Sequence, residues 1–313
     1  MKKLKIFTFP DRNPEYLQLQ IDSYKLYMQD ADTELIVVNA STNNADEIDN
    51  ICKNNNIECI KYIGPNNGFI TYYVEQLNWF RDTMQKNISD YILLIHSDMF
   101  FINKLDYKSL MDNKKIIINP QYRLNNSLYY MWDGVLLFDS EFFNSNNLTK
   151  LFIWNPVEGI SDMGGQTSEL LKKIDKNDIG FFEFWNIYDI INNNFDTHLN
   201  GNIRYSFDMN NKKLHLLGGD RFSDKKSFPY ENDIENYEEY YINNFFKLKE
   251  LFIDNYDFLN PIHIDIIQSI DTDITKSPII HFKSGTGYQN FYNPIYANHK
   301  LEQIKKIIFR DLN

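Results

Sequence analysis

The sequence predicts an α/β fold with a mostly parallel, mixed central sheet and helices on both faces. Three observations carry the prediction. Short runs are apolar at every position rather than at alternate ones, the pattern of strands covered on both sides. Helical spacing fills the intervals between them. Small and polar residues collect where each run ends.

Taken in order, Lys5 to Phe9 reads as the first strand. After a turn at Pro10 to Pro14, Leu17, Ile21, Tyr24 and Met28 recur at helical spacing. Glu34 to Asn39 and Glu58 to Ile63 supply two more strands. Phe69 to Lys86 is a helix with Ile70, Tyr73, Val74, Leu77, Phe80 and Met84 on one face. Tyr91 to Ile95 is the most hydrophobic strand. Beyond it, Ile116 to Pro120 and Val135 to Phe138 read as strands flanking the aromatic segment Tyr129-Tyr130-Met131-Trp132. Gly165 to Lys173 reads as a helix, as does a longer stretch from about Ile234 to Asn255. A late strand opens at Ile279-Ile280. With no internal repeat and no Pro/Gly/Ser linker, one domain over 1–313 is expected, residues 220–276 being a helical elaboration.

Composition narrows the function. Lys and Arg number 32 against 43 Asp and Glu, a net charge of −11. Such a chain repels phosphate backbones, so nucleic acid is not an expected partner. Cys52 and Cys59 have six residues between them and no adjacent His, a poor match to zinc spacing and a good one to two reduced thiols. No run approaches the roughly 20 apolar residues of a membrane span. The first ten residues lack a signal peptide's apolar stretch. A cytoplasmic protein without a transmembrane segment is expected.

Ligands of open parallel sheets bind beyond the carboxyl ends of the strands. Those ends are Thr8-Phe9-Pro10, Asn39-Ala40-Ser41, the stretch from Gly64 to Asn67 and Gly68, and His96-Ser97-Asp98. A nucleotide fits this crevice, its base between the first two loops and its phosphates near the last. The last loop is the sharpest: an apolar strand delivers His96 and Asp98 into solvent before Met99-Phe100-Phe101 turns apolar again. A turn or capping Asp is the plainer alternative for Asp98. Trp132-Asp133-Gly134 offers an aromatic face and a carboxylate, the two features that hold a sugar ring.

Asn66-Asn67-Gly68-Phe69, then a helix, then Asp90 to Asp98 resembles the order in GT-A glycosyltransferases of the family 2 type. In that family an Asn-x-Gly-Phe-like turn begins a helix and a later strand ends in D-x-D, here H-x-D with His96 in the first place. The resemblance spans roughly residues 3 to 170. It implies a GT-A fold and transfer of a sugar from a nucleotide-diphosphate sugar to a glycan, lipid-linked or protein acceptor. It also implies Mn²⁺ or Mg²⁺ at Asp98 and His96, the imidazole favouring Mn²⁺. His281, in His281-Phe282-Lys283-Ser284-Gly285, resembles the family's late metal-binding His, with Lys283 on the diphosphate; an ordinary strand-end His is the alternative. By analogy Asp162 is the base of an inverting displacement, against a helix-capping role, with Glu169 and Glu183 in reserve. Nucleotide contacts are expected from Thr8, Phe9, Pro10, Asn39, Ser41, Asn67, Gly68, Ser97 and Lys283, and sugar or acceptor contacts from Trp132, Asp133 and Gly134.

Rival chemistries lack their residues. Histidines at 96, 198, 215, 263, 281 and 299 do not cluster as a two-metal phosphoesterase requires. The first strand is followed by Thr8-Phe9-Pro10-Asp11-Arg12, without the glycines of a dinucleotide fingerprint. A catalytically degenerate GT-A domain that binds a nucleotide or glycan is the remaining alternative.

Overall fold

The computed structural model describes residues 2–10, 14–64, 69–123, 128–157, 163–182, 185–191, 194–199, 203–208, 213–219, 277–282, 301–302 and 304–310. They fall into two compact units, Met1–Phe182 and Glu183–Asn313.

The first unit runs β1 (Leu4–Thr8), α1 (Pro14–Tyr27), β2 (Thr33–Asn39), α2 (Ala45–Asn55), β3 (Glu58–Lys61), α3 (Phe69–Thr83), β4 (Tyr91–Ile95), β5 (Met99–Phe101), α4 (Tyr107–Met111), β6 (Ile116–Arg123), β7 (Leu128–Asp139), α5 (Ser140–Ser145), α6 (Ser168–Leu171) and β8 (Ile179–Phe181). Seven strands form one sheet in the order β3-β2-β1-β4-β7-β6-β8. β1 pairs in parallel with both β2 and β4, and β2 with β3. β7 lies antiparallel between β4 and β6, and β8 is parallel to β6. The sheet is thus mixed and mostly parallel, as the apolar runs predict.

Burial explains why those runs are unbroken. Adjacent residues of a strand point to opposite faces, and in β1 both Ile6 and Phe7 are fully buried, as are Ile92 and Leu93 in β4. Phe7 meets Phe80 of α3 with ring centroids 4.7 Å apart. On α1, Ser23 accepts the Phe101 N–H of β5 at 3.2 Å, and Tyr16 lies 6.0 Å from Phe100. Both faces are therefore closed by packed side chains.

Several elements differ from the sequence reading. Helix α2 was not anticipated, because only Ile48 and Cys52 are buried along it. The helix read as running to Lys86 ends at Thr83 and continues as a 3₁₀ turn at Gln85–Asn87. β7 begins at Leu128 and absorbs the aromatic segment read as a connector. The helix read over Gly165 to Lys173 is a 3₁₀ turn, Gly165–Thr167, followed by the single turn of α6.

The second unit contains β9 (Trp185–Ile191), β10 (Asn194–Leu199), β11 (Ile203–Asp208), β12 (Lys213–Gly219) and β13 (Ile279–Phe282). β9 to β12 form an antiparallel meander, and β13 joins β9 in parallel with His281 opposite Asn186. The meander was not read from the sequence. The helix expected from about Ile234, and the rest of residues 220–276, lie outside the described residues. Among the described residues no helix is long and apolar enough to cross a membrane.

Candidate active site

Strand order reverses at β1: β2 and β3 extend the sheet on one side, while β4 begins the other. A crevice at the carboxyl ends is expected at such a switch point. The turn after β4 stands there. Its first residue stays on the ladder, since the His96 N–H donates to the Gly134 carbonyl at 2.9 Å. The Met99 N–H closes the turn on the His96 carbonyl at 3.1 Å.

Gln20 secures the turn from beneath. Fully buried on α1, it donates its amide to the carbonyls of both His96 and Met99 at 2.9 Å. The sequence carried a signal for this role, a polar Gln beside the apolar stripe of Leu17, Ile21 and Tyr24. One internal amide does not break helical periodicity, so the pattern alone does not single Gln20 out.

Four side chains converge on the His96 ring. Its Nε2 lies 3.4 Å from Asp133 Oδ2, and its Nδ1 lies 4.0 Å from Asp98 Oδ1. Tyr73 of α3 and Trp132 of β7 pack edge-on against it, each with centroids 5.2 Å away. His96 is half-buried, whereas Asp98 and Asp133 are 4% and 3% exposed. The expectation that Asp98 enters solvent is therefore corrected. The turn tucks its last residue back toward β5, so Asp98 lies among protein groups.

Burial shapes the titration here. Alone it would depress the His96 pKa, but the hydrogen bond to Asp133, then the charges of Asp133 and Asp98, outweigh it and raise the value above 6.5. The Tyr73 phenol is pushed well upward by burial and by the same two carboxylates. It stays protonated at neutral pH.

Gly134 has a steric reason. A Cβ on it would collide with the Trp132 indole, which lies across the glycine on the same side of β7. Nearby, Gly164 adopts φ 91°, and a Cβ there would reach the Met131 carbonyl at 2.5 Å. Thr167 Oγ accepts the Met131 N–H at 3.0 Å and donates to the Gly164 carbonyl at 2.6 Å. This turn is thereby fastened to β7 one residue from Trp132.

The remaining predicted residues divide. Thr8, Phe9 and Pro10 are buried at the end of β1, with the Phe9 ring 5.9 Å from Tyr73. The Asn39 amide is engaged internally, donating to the Ala45 carbonyl and Asp49 while accepting the Ser41 N–H. Ser41 and Ser97 are half-buried. His281 is buried on β13 of the second unit. Glu169 is exposed and paired with Lys172 at 2.5 Å. Asn67, Gly68, Asp162, Glu183 and Lys283 lie outside the described residues. Tyr130 and Trp154 are core.

The donor set fits a divalent cation. Two donor atoms on one ion with bonds of about 2.1 Å lie at most about 4.2 Å apart, so Asp98 Oδ1 and His96 Nδ1 are within span. Asp133 on the far nitrogen orients the ring as a carboxylate commonly orients a metal-binding His. Two buried carboxylates also carry more negative charge than one imidazole can neutralise.

The chain resembles solved glycosyltransferases. The galactosyltransferase LgtC, crystallised with donor and acceptor sugar analogues, shares 16% identity over 57% of this chain and 73% of its own, at a TM-score of 0.37. GlyE from Streptococcus pneumoniae shares 14% over 58% and 45%, at 0.38, and TarS from S. aureus 13% over 57% and 58%, also at 0.38. No protein-family profile and no curated protein matches the chain.

Proposed function

We propose that this chain is a GT-A glycosyltransferase that moves a sugar from a nucleotide-diphosphate sugar to an acceptor hydroxyl with the help of a divalent metal. The observation that carries this reading is the His96–Asp98–Asp133 cluster at the carboxyl end of β4, beside the switch point of the sheet. Leaving-group chemistry needs positive charge at that place, because a diphosphate gains negative charge as the glycosidic bond breaks.

His96 and Asp98 are the proposed protein ligands of Mn²⁺ or Mg²⁺ in the first unit, and the resemblance adds His281 as a third. When bound, the ion supplies Lewis-acid stabilisation of the departing diphosphate. Asp133 holds the imidazole tautomer that turns Nδ1 toward Asp98. Trp132 offers its face to the donor sugar or acceptor, with Gly134 leaving room for the indole. The Thr8–Pro10 and Asn39–Ser41 loops, with Asn67, Gly68 and Ser97, flank the nucleotide, and Lys283 reaches its phosphates. Asp162 is the proposed base: deprotonating the acceptor hydroxyl raises its nucleophilicity toward the anomeric carbon, giving inversion. The fastening of Gly164 on β7 beside Trp132 supports an acceptor site in that neighbourhood.

A second reading, a GT-A domain that binds nucleotide or glycan without turnover, is favoured by one feature: His96 stands where the family's first Asp is expected. A panel of nucleotide-sugars, assayed for donor hydrolysis with and without Mn²⁺ alongside calorimetry of the nucleoside diphosphates, separates the two. The transferase reading expects Mn²⁺-dependent hydrolysis of one donor and its loss in Asp98→Asn. Binding without hydrolysis selects the binding module. Full Mn²⁺-dependent activity in Asp98→Asn overturns the metal assignment, and absence of nucleotide binding overturns both readings.

A further inference from the structure

The chain's two thiols sit on consecutive elements of the first unit. Cys52 is fully buried near the end of α2, and Cys59, partly exposed, is the second residue of β3, opposite Val37 of β2. Their connection is tight. Asn56 takes the left-handed conformation at φ 55°, and the Ile57 N–H donates to the Cys52 carbonyl at 2.9 Å. The two thiols hydrogen-bond to one another.

Cys59 makes a second contact. Its Sγ donates to Asp49 Oδ1 at 3.3 Å, and that same oxygen accepts the Asn39 side-chain amide at 2.6 Å. Asn39 Oδ1 in turn accepts the Ser41 N–H at 3.2 Å. A continuous set of hydrogen bonds thus leads from the outer sulfur to the loop after β2.

We propose that Cys52 and Cys59 form a reversible disulfide whose formation loosens the loop at Ser41. The oxidant is a small-molecule disulfide. The accessible Cys59 thiolate displaces one of its sulfurs, forming a mixed disulfide and releasing one thiolate. Cys52 then attacks Cys59 Sγ, forming the internal S–S bond and releasing the second. The cysteines are oxidised and the reagent is reduced, and the two thiol protons pass to the released thiolates. Once oxidised, Cys59 has no hydrogen to donate. The exposed Asp49 carboxylate then loses a partner on the protein side and turns toward water, withdrawing its hold on Asn39.

The full chain treated with oxidised glutathione tests both halves. Intact mass should fall by two hydrogens with neither thiol left open to alkylation. The Ser41 amide should exchange roughly tenfold faster, the scale of one lost hydrogen bond. Cys59→Ser, whose hydroxyl still donates to Asp49, should form no internal bond and keep Ser41 protected under the same treatment. A persistent glutathione adduct, or an internal disulfide that leaves Ser41 exchange unchanged, overturns the proposal. That the loosened loop flanks a nucleotide rests on the transferase reading. Mass and exchange report the thiol pair whether or not the chain transfers sugar.

Discussion

His96 holds a proton that its neighbours favour and its burial opposes. Its folded pKa lies above the ordinary value. The stability contributed by the protonated ring is therefore complete below about pH 6.5 and is lost as pH rises through the raised value. Asp133→Asn removes the nearer charge and leaves only a neutral amide oxygen to accept from the ring. Denaturant titrations at several pH values should show stability falling across that window in the parent and a flatter course in the variant; equal slopes would show that Asp133 does not hold the proton. Gly134 is a second single-residue test. Gly134→Ala must drive the Trp132 indole off its seat, an overpacking cost of about 1–3 kcal/mol. Tryptophan emission should shift as the ring leaves His96, and an unchanged spectrum with unchanged stability would refute the close packing.

Among the elements, α1 and β7 set the cluster around His96 more than the turn that bears His96 and Asp98. α1 holds the His96 and Met99 carbonyls through Gln20, and β7 brings Trp132, Asp133 and Gly134 beneath the same ring. Replacing Gln20 with Leu keeps the volume but withdraws the amide from the Met99 and His96 carbonyls, leaving the latter only its bond from the Met99 N–H, at a cost of about 1–3 kcal/mol. The loss should be concentrated in the turn. Amide exchange at Met99, whose N–H closes it, should accelerate more than exchange at Leu93 in the middle of β4. Equal acceleration at both positions would mean that Gln20 stabilises the unit generally and not the turn.

At the scale of the whole molecule, the first unit holds a sheet and the switch point within 182 residues. It encloses its own core, from Leu4 and Ile6 through Leu93 to Phe138 and Ile179. A fragment ending at Phe182 should therefore unfold in a single cooperative thermal transition. A broad, non-cooperative melt would show that the sheet needs the second unit to form.

The strands of the parallel half were legible because burial on both faces writes itself as unbroken hydrophobicity. β1, β2 and β4 are found within a residue or so of where their apolar runs lie. The H-x-D turn was legible for a related reason, as polarity interrupting such a run. Helix α2 escaped because just two of its residues reach the core. The meander of β9 to β12 escaped although Asn200-Gly201 is a strong hairpin dipeptide, since the segment's many polar residues leave no unbroken apolar run. What the sequence by itself determined was the class of fold, the order of the strands along the chain and the residue types at their ends. Tertiary structure alone decided that Asp133 and Trp132 meet His96, that Gln20 supports them, and that Asp98 is enclosed. Those outcomes depend on which strands become neighbours across long stretches of chain, and local periodicity carries no record of that pairing.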